Sequence, residues 1–381
     1  MTEKLFDIDG TIMEFDARVV ACNPLDTRFS VLLDRTAFAP EGGGQRSDVG
    51  RLGDAEVIDV QLVDGEIRHI TDRPLAVGET VRGALDATRR IRHIQNHTGE
   101  HIVSGLFYKL YGYHNVGFHL GSEEITMDLD GEVSEEMLRL VEKEANRVVL
   151  EDRVVSVSYP AAEELASLAY RAKLALDADV RIVTVEGVDA CACCAPHVAR
   201  TGQIGMIKLL FAMRYKGGTR IYIKCGFDAL DEFNAEYARA TAISNCISLP
   251  RERIAEGVEK LRADLAEASY KIVGLKRELI SCRAESVVPT DGTILFFEKD
   301  FEANELQVLV TATAEKAGKC VAAFSLGEDG QYRFAAVYHG EDFGTWRTAL
   351  CDALCARGGG KAPFMQGKAA CDEAAVRAFF S

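Results

Sequence analysis

Two short stretches far apart in the chain carry side chains that bind metals. The first contains His97 and His101, four residues apart, and the second contains Cys193 and His197 at the same spacing. Residues at positions i and i+4 share one face of a helix, so two imidazoles can reach one ion if the first stretch is helical. Three imidazoles and one thiolate are a donor set suited to tetrahedral zinc, and we expect one Zn²⁺ per chain.

The choice of thiolate within the second stretch is open from the sequence. Cys191 and Cys194 form a C-x-x-C pair, which is also typical of a structural zinc site. We favour Cys193 because its spacing to His197 repeats that of the histidine pair. A shell of four protein ligands is closed, so a catalytic zinc would need one ligand to leave or a water to enter.

Glu100 completes the pattern H-x-x-E-H, which is the inverted zincin motif of some metallopeptidases. In such an enzyme the glutamate activates a zinc-bound water, whereas the simpler interpretation is an exposed helix residue. A peptidase of this class also needs a carboxylate as its third ligand, and the second stretch offers a thiolate and an imidazole instead. A metallopeptidase therefore remains an alternative function.

The elements that position these residues follow from hydrophobic spacing. Apolar residues after His101 recur at helical spacing, so we expect a helix that begins near Arg92. A second amphipathic helix is predicted from Ser134. The strands predicted around both stretches cover residues 115–120, 124–129, 154–159 and 180–185. Residues 89–228 are thus predicted to form an α+β zinc-binding domain.

The rest of the chain divides into three further segments, which makes the expected fold α+β and multidomain. Residues 1–88 alternate apolar runs with Gly and Asp turns, which predicts a small domain of β-barrel type. Residues 229–283 have a heptad pattern that indicates either one long packed helix or a coiled coil joining a homodimer. Residues 284–381 read as an α/β unit. Its predicted strands cover residues 293–297, 306–310, 321–325 and 332–337.

Composition narrows the class of partner. The 381 residues are 48% hydrophobic and 27% charged, as in an ordinary globular protein. The formal charge of −15 argues against a general polyanion binder, although a local basic groove is compatible with it. Eleven scattered cysteines, no apolar leader and no segment of membrane-span length predict a cytoplasmic protein without a membrane partner.

One motif near the N-terminus points to different chemistry. Asp7 and Asp9 lie in a stretch that reads like the first motif of haloacid dehalogenase phosphatases, where the first Asp is a nucleophile and the second a general acid. Such enzymes also need a later acidic pair for magnesium, and the sequence offers no convincing one. We therefore do not favour this function.

Taken in order, the motifs resemble those of stand-alone alanyl-tRNA editing proteins (AlaX type, long form) and of the editing domain of alanyl-tRNA synthetases. The heptad segment and the glycines around Lys361 resemble the synthetase C-terminal region, of the DHHA1 type. One departure is Cys194-Ala195-Pro196, where the family has Gly-Gly-Thr. The four segments that match the editing motifs are residues 36–45, 96–101, 193–205 and 218–221.

The resemblance implies a zinc-dependent hydrolase that cleaves the ester of tRNA(Ala) mischarged with serine, or with glycine. It makes Thr36 and Gln45 the candidates that recognise the serine hydroxyl, and Glu100 the candidate that activates water. Whether the zinc is catalytic or structural stays open. A zinc-stabilised tRNA-binding module without catalysis is the second alternative.

RNA binding requires close backbone approach and positive charge. The backbone at Gly43 and Gly44 can approach the terminal adenosine closely because glycine has no side chain. The cations that we expect to contact phosphates include Arg92 before the metal helix, Arg220 on a later strand and Lys361 in the terminal unit. The resemblance suggests that the terminal unit grips the outer body of the tRNA.

Overall fold

The computed structural model describes residues 2–121, 124–171 and 180–381. They form two compact units, Met1–Ala242 and Ile243–Ser381. The mixed α+β composition predicted from the sequence is confirmed. The finer division into four segments remains a prediction. Among the described helices, none combines the length and the apolarity needed to cross a membrane.

The first unit begins with a closed six-stranded barrel. Its strands neighbour one another in the order β2-β3-β7-β6-β5-β8. On β2, Phe15, Ala17 and Val19 are buried while the residues between them face solvent, which is the period-two pattern of a barrel wall. The elements of this part are β1 (Glu3–Lys4), α1 (Leu5–Ile8), β2 (Glu14–Leu25), β3 (Arg28–Leu33), β4 (Arg35–Thr36), β5 (Gly50–Leu52), β6 (Ala55–Val63), β7 (Glu66–Thr71) and β8 (Thr80–Leu85).

The remainder of the first unit surrounds one buried helix, α2. A four-stranded antiparallel sheet runs in the order β14-β15-β10-β9, and a three-stranded sheet in the order β11-β12-β13. The elements are α2 (Ala87–Tyr111), β9 (Asn115–Leu120), β10 (Ile125–Leu129), α3 (Glu135–Leu150), β11 (Val155–Ser158), α4 (Ala162–Ser167), β12 (Ile182–Val185), β13 (Asp189–Ala192), β14 (Ile207–Tyr215), β15 (Gly218–Cys225) and α5 (Gly226–Ile247).

Helix α2 carries the first metal-binding stretch. It begins at Ala87, five residues earlier than predicted, because the Asp86 side chain accepts a hydrogen bond from the Arg89 amide and caps the helix. Two glycines let α2 pack closely. A Cβ at Gly99 would lie 2.3 Å from the sulfur of Cys225, and one at Gly105 would lie 2.7 Å from Cβ of Asp189. The helix is therefore fixed against both β15 and β13.

The second unit is a five-stranded sheet with helices on both faces. Its strand order is β16-β17-β18-β20-β19, with β16 parallel to β17 and the other pairs antiparallel. Separate apolar clusters cover the two faces. The elements are α6 (Ile254–Ser286), β16 (Thr293–Lys299), α7 (Ala303–Thr313), β17 (Cys320–Leu326), β18 (Tyr332–Tyr338), α8 (Phe343–Ala353), β19 (Ala356–Gly359), β20 (Phe364–Ala369) and α9 (Glu373–Phe380).

Two features of the second unit bear on the sequence predictions. The predicted strand at residues 306–310 is wrong, because this stretch lies in α7, with Leu306, Leu309 and Val310 buried at helical spacing. A short apolar run does not distinguish a strand from a buried helix. The apolar heptad residues after Pro250 lie on the long helix α6, and most of them are exposed. Pairing of α6 between two chains remains a prediction.

A buried histidine in the barrel predicts a pH-dependent loss of stability. Burial lowers the pKa of His69 to about 4 from its usual value of 6.5. Because the folded protein resists protonation here and the unfolded chain does not, this contribution is intact above pH 6.5 and is lost as the pH falls toward 4. We expect His69→Gln to shrink the difference in unfolding free energy between pH 7 and pH 4 by about 3 kcal/mol.

Urea denaturation of the metal-free protein at both pH values measures this difference. His114→Gln is the matched control, because the His114 side chain is largely exposed. An equal pH dependence in the wild type and the His69 variant would contradict the assignment.

Candidate metal centre

The four predicted ligands lie together in the fold. One ligand atom from each of His97, His101, Cys193 and His197 lies within 4.8 Å of the other three, a grouping that could hold a metal ion. The Cys193 sulfur is 3.5 Å from Nε2 of His97 and 3.4 Å from Nε2 of His197. Zn–S bonds of about 2.3 Å and Zn–N bonds of about 2.0–2.1 Å, arranged tetrahedrally, separate sulfur from nitrogen by about 3.5 Å. The spacing therefore fits tetrahedral zinc.

The structure also distinguishes between the three candidate thiols. Cys193 belongs to the group of four, whereas Cys191 lies in a neighbouring group with His101 and Asp189, and Cys194 lies in neither. Burial opposes ionisation of the Cys193 thiol, but the imidazoles of His97 and His197 lower its pKa well below the usual value. The thiolate is the form that binds metals, so the local electrostatics favour Cys193 as the ligand.

Each imidazole of the group has a partner on its far side. When Nδ1 of a histidine is held by a neighbouring group, Nε2 is left to face the metal. The three pairs are His97 Nδ1 with Gln45 Oε1 at 2.8 Å, His101 Nδ1 with Asp189 Oδ2 at 3.2 Å and His197 Nδ1 with Thr98 Oγ1 at 3.1 Å. This arrangement around three separate histidines is typical of a metal centre.

Sequence reasoning missed Asp189 and Thr98. Asp189 begins β13 and is held by Arg171, whose Nε and Nη2 atoms lie 2.6 and 2.7 Å from its two carboxylate oxygens. Burial raises the pKa of the Asp189 carboxyl, but Arg171 and His101 lower it more, and the net pKa is below its usual value. Asp189 is therefore ionised. Its position two residues before the first cysteine of the cluster was the available signal.

Replacing the Asp189 carboxylate by an amide is expected to weaken zinc binding. In Asp189→Asn the group facing His101 keeps its size but loses its charge, so the His101 ring is held less firmly and is less basic. We expect zinc affinity to fall about 10–100-fold. Competition with a chromophoric chelator measures the affinity. Asp130→Asn, at an exposed partner of His114, serves as control, and an unchanged affinity in Asp189→Asn would contradict the role given to the carboxylate.

A cavity of about 450 Å³ opens beside the metal ligands. Its wall contains three members of the ligand group. It also contains residues of the glycine loop, Gly42–Gly44, and of the N-terminal segment, residues 4–7. The residues that line it include Lys4, Asp7, Glu41, Gly42, Gly43, His97, Glu100, His101, Tyr159, Arg171, Arg181, Cys193 and Cys194. A small substrate group in this cavity would contact the metal site directly.

Glu100 lies at the cavity and is not the exposed helix residue of the simpler interpretation. It is 3% exposed. Its Oε1 atom accepts hydrogen bonds from Ser104 Oγ at 2.5 Å and from Asn115 Nδ2. The carboxylate is thus held in a fixed orientation within the wall that also carries His97 and His101.

Thr36 and Gln45, the residues predicted to recognise a serine hydroxyl, are both buried and have partners within the protein. Thr36 on β4 is fully buried, and its hydroxyl contacts Nε2 of His69 at 2.8 Å and accepts a hydrogen bond from the Phe38 amide. It does not line the cavity. Gln45 is 3% exposed, and its carbonyl oxygen contacts His97. The Thr36 hydroxyl therefore has a partner inside the protein. The side-chain oxygen of Gln45 contacts a candidate metal ligand, His97.

The glycine loop has two distinct roles. Gly43 lines the cavity at φ +62°, and a Cβ there would lie 3.9 Å from the His97 ring. Gly44 has φ +85°, and a Cβ there would lie 2.2 Å from the Phe118 carbonyl oxygen. Any side chain at Gly44 would displace β9, so this residue sets the packing of the loop whereas Gly43 leaves space beside the metal ligands.

Two of the predicted RNA-binding cations are already paired within the protein. Arg92 contacts Asp228 and, at 2.6 Å, Asp231. Arg220 forms two hydrogen bonds of 2.7 and 2.8 Å with Asp128. An ion-paired arginine is a poorer phosphate ligand because the carboxylate must be displaced. In the second unit, Lys361 is exposed after β19.

Residues 180–222 match the family model described as the second additional domain of threonyl and alanyl tRNA synthetases. The chain is 33% identical over 293 residues to an alanine–tRNA ligase of Pyrococcus abyssi, covering 73% of the chain and 32% of the ligase. It is 29% identical over 374 residues to the ligase of Ignicoccus hospitalis, covering 94% of the chain and 40% of the ligase. The chain therefore carries a synthetase-type domain and spans about a third of these ligases.

The chain is also similar to a protein that is shorter than these ligases. The chain is 34% identical over 244 residues to the alanyl-tRNA editing protein AlaX-L of Pyrococcus horikoshii, covering 61% of the chain and 60% of that protein. The chain is thus a homologue of the alanyl-tRNA editing proteins of the AlaX type, as the ordered motifs predicted.

Proposed function

We propose that this protein is a trans-editing hydrolase, which cleaves the ester bond of tRNA(Ala) carrying serine or glycine. The observation that carries the proposal is the convergence of the four ligand atoms beside a cavity whose wall includes His97, His101 and Cys193. An alanine-specific synthetic site rejects serine and glycine imperfectly, so a second, hydrolytic site supplies the missing discrimination. The likeness to an alanyl-tRNA editing protein supports tRNA(Ala) as the substrate.

The residues at the cavity suit ester hydrolysis. Zinc bound by the four ligands would supply a Lewis acid beside the ester. Glu100 is oriented by Ser104 and Asn115, so its carboxylate can take the proton of the water that attacks the ester carbonyl carbon. When the bond between that carbon and the ribose oxygen breaks, the same proton can pass to the departing ribose oxygen. The amino acid and the tRNA are then released.

The ligand set argues against the metallopeptidase alternative. The group of four contains a thiolate and three imidazoles, whereas an inverted zincin uses a carboxylate as third ligand. Asp189 is a carboxylate that faces His101, but it lies on the Nδ1 side of the ring and is bound to Arg171. Asp189 therefore orients the His101 ring through Nδ1 and does not act as the third ligand.

The test is hydrolysis by purified protein of known zinc content. Ester loss is followed for seryl-, glycyl- and alanyl-tRNA(Ala), with uncatalysed hydrolysis measured in parallel. We expect serine or glycine to be released faster than alanine. Tight tRNA binding with ester loss at the uncatalysed rate would instead identify a zinc-stabilised binding module, and cleavage of peptides that depends on Glu100 would identify a peptidase.

A further inference from the structure

We infer that Lys4 binds the phosphate group that precedes the terminal nucleoside of the bound RNA. The inference rests on the proposed function and adds a contact that determines substrate class. It follows from the charges around the cavity. Because the chain as a whole has a net charge of −15, a polyanion depends on local cations that have no carboxylate partner.

Lys4, Arg171 and Arg181 are the cations among the described residues that line the cavity. Arg171 is bound through two nitrogens to Asp189. Arg181 lies 3.0 Å from Asp7, and its Nη1 atom donates to the carbonyl oxygens of Cys193 and Ala195. Both arginines therefore already bind groups on the segment that carries Cys193.

Lys4 differs from the two arginines. Its side chain is exposed, and no ion pair joins its ammonium group to a carboxylate within the part of the chain that the structure describes. Its backbone is fixed, because β1 pairs in parallel with β4 and aligns Lys4 with Thr36. Leu5, the first residue of α1, and the buried Phe6 pack against the apolar core of the barrel. The ammonium group thus stands at the cavity from an ordered position.

Among the described residues, none of the carboxylates that line the cavity forms an ion pair with Lys4. Asp7 is bound by Arg181 and accepts a hydrogen bond of 2.8 Å from the Tyr159 hydroxyl. Glu41 accepts one of 3.2 Å from Gln61. An RNA whose terminal ester lies at the metal ligands must bring its last phosphate to the rim of the same cavity. A lysine suits that position, since its flexible stem and compact charge adapt to a phosphate.

The experiment compares two substrates in Lys4→Met and wild-type protein. One is seryl-tRNA(Ala), and the other is the seryl ester of adenosine, which has no phosphate. We expect Lys4→Met to raise KM for seryl-tRNA about tenfold with kcat unchanged, and to leave KM for seryl-adenosine unchanged. The slope of log KM against log salt for the tRNA should fall by about 0.7, the value for one contact to a single strand. Lys4→Arg should retain most of the wild-type KM.

Lys143→Met is the matched control, because Lys143 is an exposed lysine on α3 away from the cavity. An unchanged KM for the tRNA in Lys4→Met, or an equal rise for both substrates, would overturn the inference while leaving the proposed function intact. Failure of the wild-type protein to hydrolyse either ester would remove the proposed function and the inference together.

Discussion

Replacing His97 and His101 together by alanine is expected to abolish zinc binding and to slow hydrolysis of seryl-tRNA(Ala) at least about a thousandfold. Both imidazoles belong to the ligand group and both line the cavity. The remaining thiolate and imidazole cannot hold the ion tightly. A Lewis acid stabilises the transition state by several kcal/mol, so its loss accounts for a rate change of this size. Zinc content and single-turnover ester hydrolysis measure the two effects.

The control for this double variant is His114→Ala. His114 is a largely exposed histidine that pairs with Asp130 outside the ligand group. The His114→Ala variant should bind one zinc per chain and hydrolyse the ester at the wild-type rate. Circular dichroism and thermal unfolding show whether the double variant folds. A folded, zinc-free double variant with wild-type turnover would exclude the metal from the reaction.

The second large effect is expected at Arg90, whose replacement by methionine should destabilise the protein by about 3–5 kcal/mol. Arg90 on α2 is fully buried and paired with the buried Asp48. Its guanidinium also donates to the carbonyl oxygens of Gly10, at 3.0 Å, and of Ala37, at 2.5 Å. Without the arginine, the Asp48 carboxylate remains buried without its charge partner, which is the costly part of breaking a buried ion pair.

Urea denaturation of the zinc-loaded protein measures the loss. Arg82→Met is the matched control, since Arg82 pairs with Glu14 on the barrel surface with both side chains 60% exposed. Exposed pairs contribute about 0–1 kcal/mol, so little change is expected. Replacing Arg90 and Asp48 together by apolar residues should recover part of the stability. Equal losses in Arg90→Met and Arg82→Met would contradict the importance of the buried pair.

The grouping of the four candidate ligands could be predicted because its sequence signal is local. The i, i+4 spacing of His97 and His101 and the same spacing in Cys193 and His197 depend only on residue types and helix geometry. The alternation of apolar residues likewise predicted a β-rich first segment. The selection of Cys193 over Cys191 is a tertiary property, because it depends on which sulfur the folded loop turns toward α2.

The supporting residues were not predictable for the same reason. Gln45 reaches His97 from the barrel loop, and Asp189 reaches His101 from β13, so each contact joins elements that only the complete fold brings together. The contact between the Thr36 hydroxyl and the buried His69 joins two residues 33 positions apart, so the sequence did not reveal it. The role of Thr36 in recognising the serine hydroxyl remains a prediction. Carboxylate partners of Arg92 and Arg220 were also hidden by sequence distance.

The most direct measurement is the time course of serine release from seryl-tRNA(Ala) by one protein preparation in three states: zinc-loaded, stripped by a chelator and reloaded. If the ion held by His97, His101, Cys193 and His197 serves the adjoining cavity, release will stop on stripping and return when one zinc per chain is restored. Release at the same rate from folded protein that contains no zinc would contradict the account.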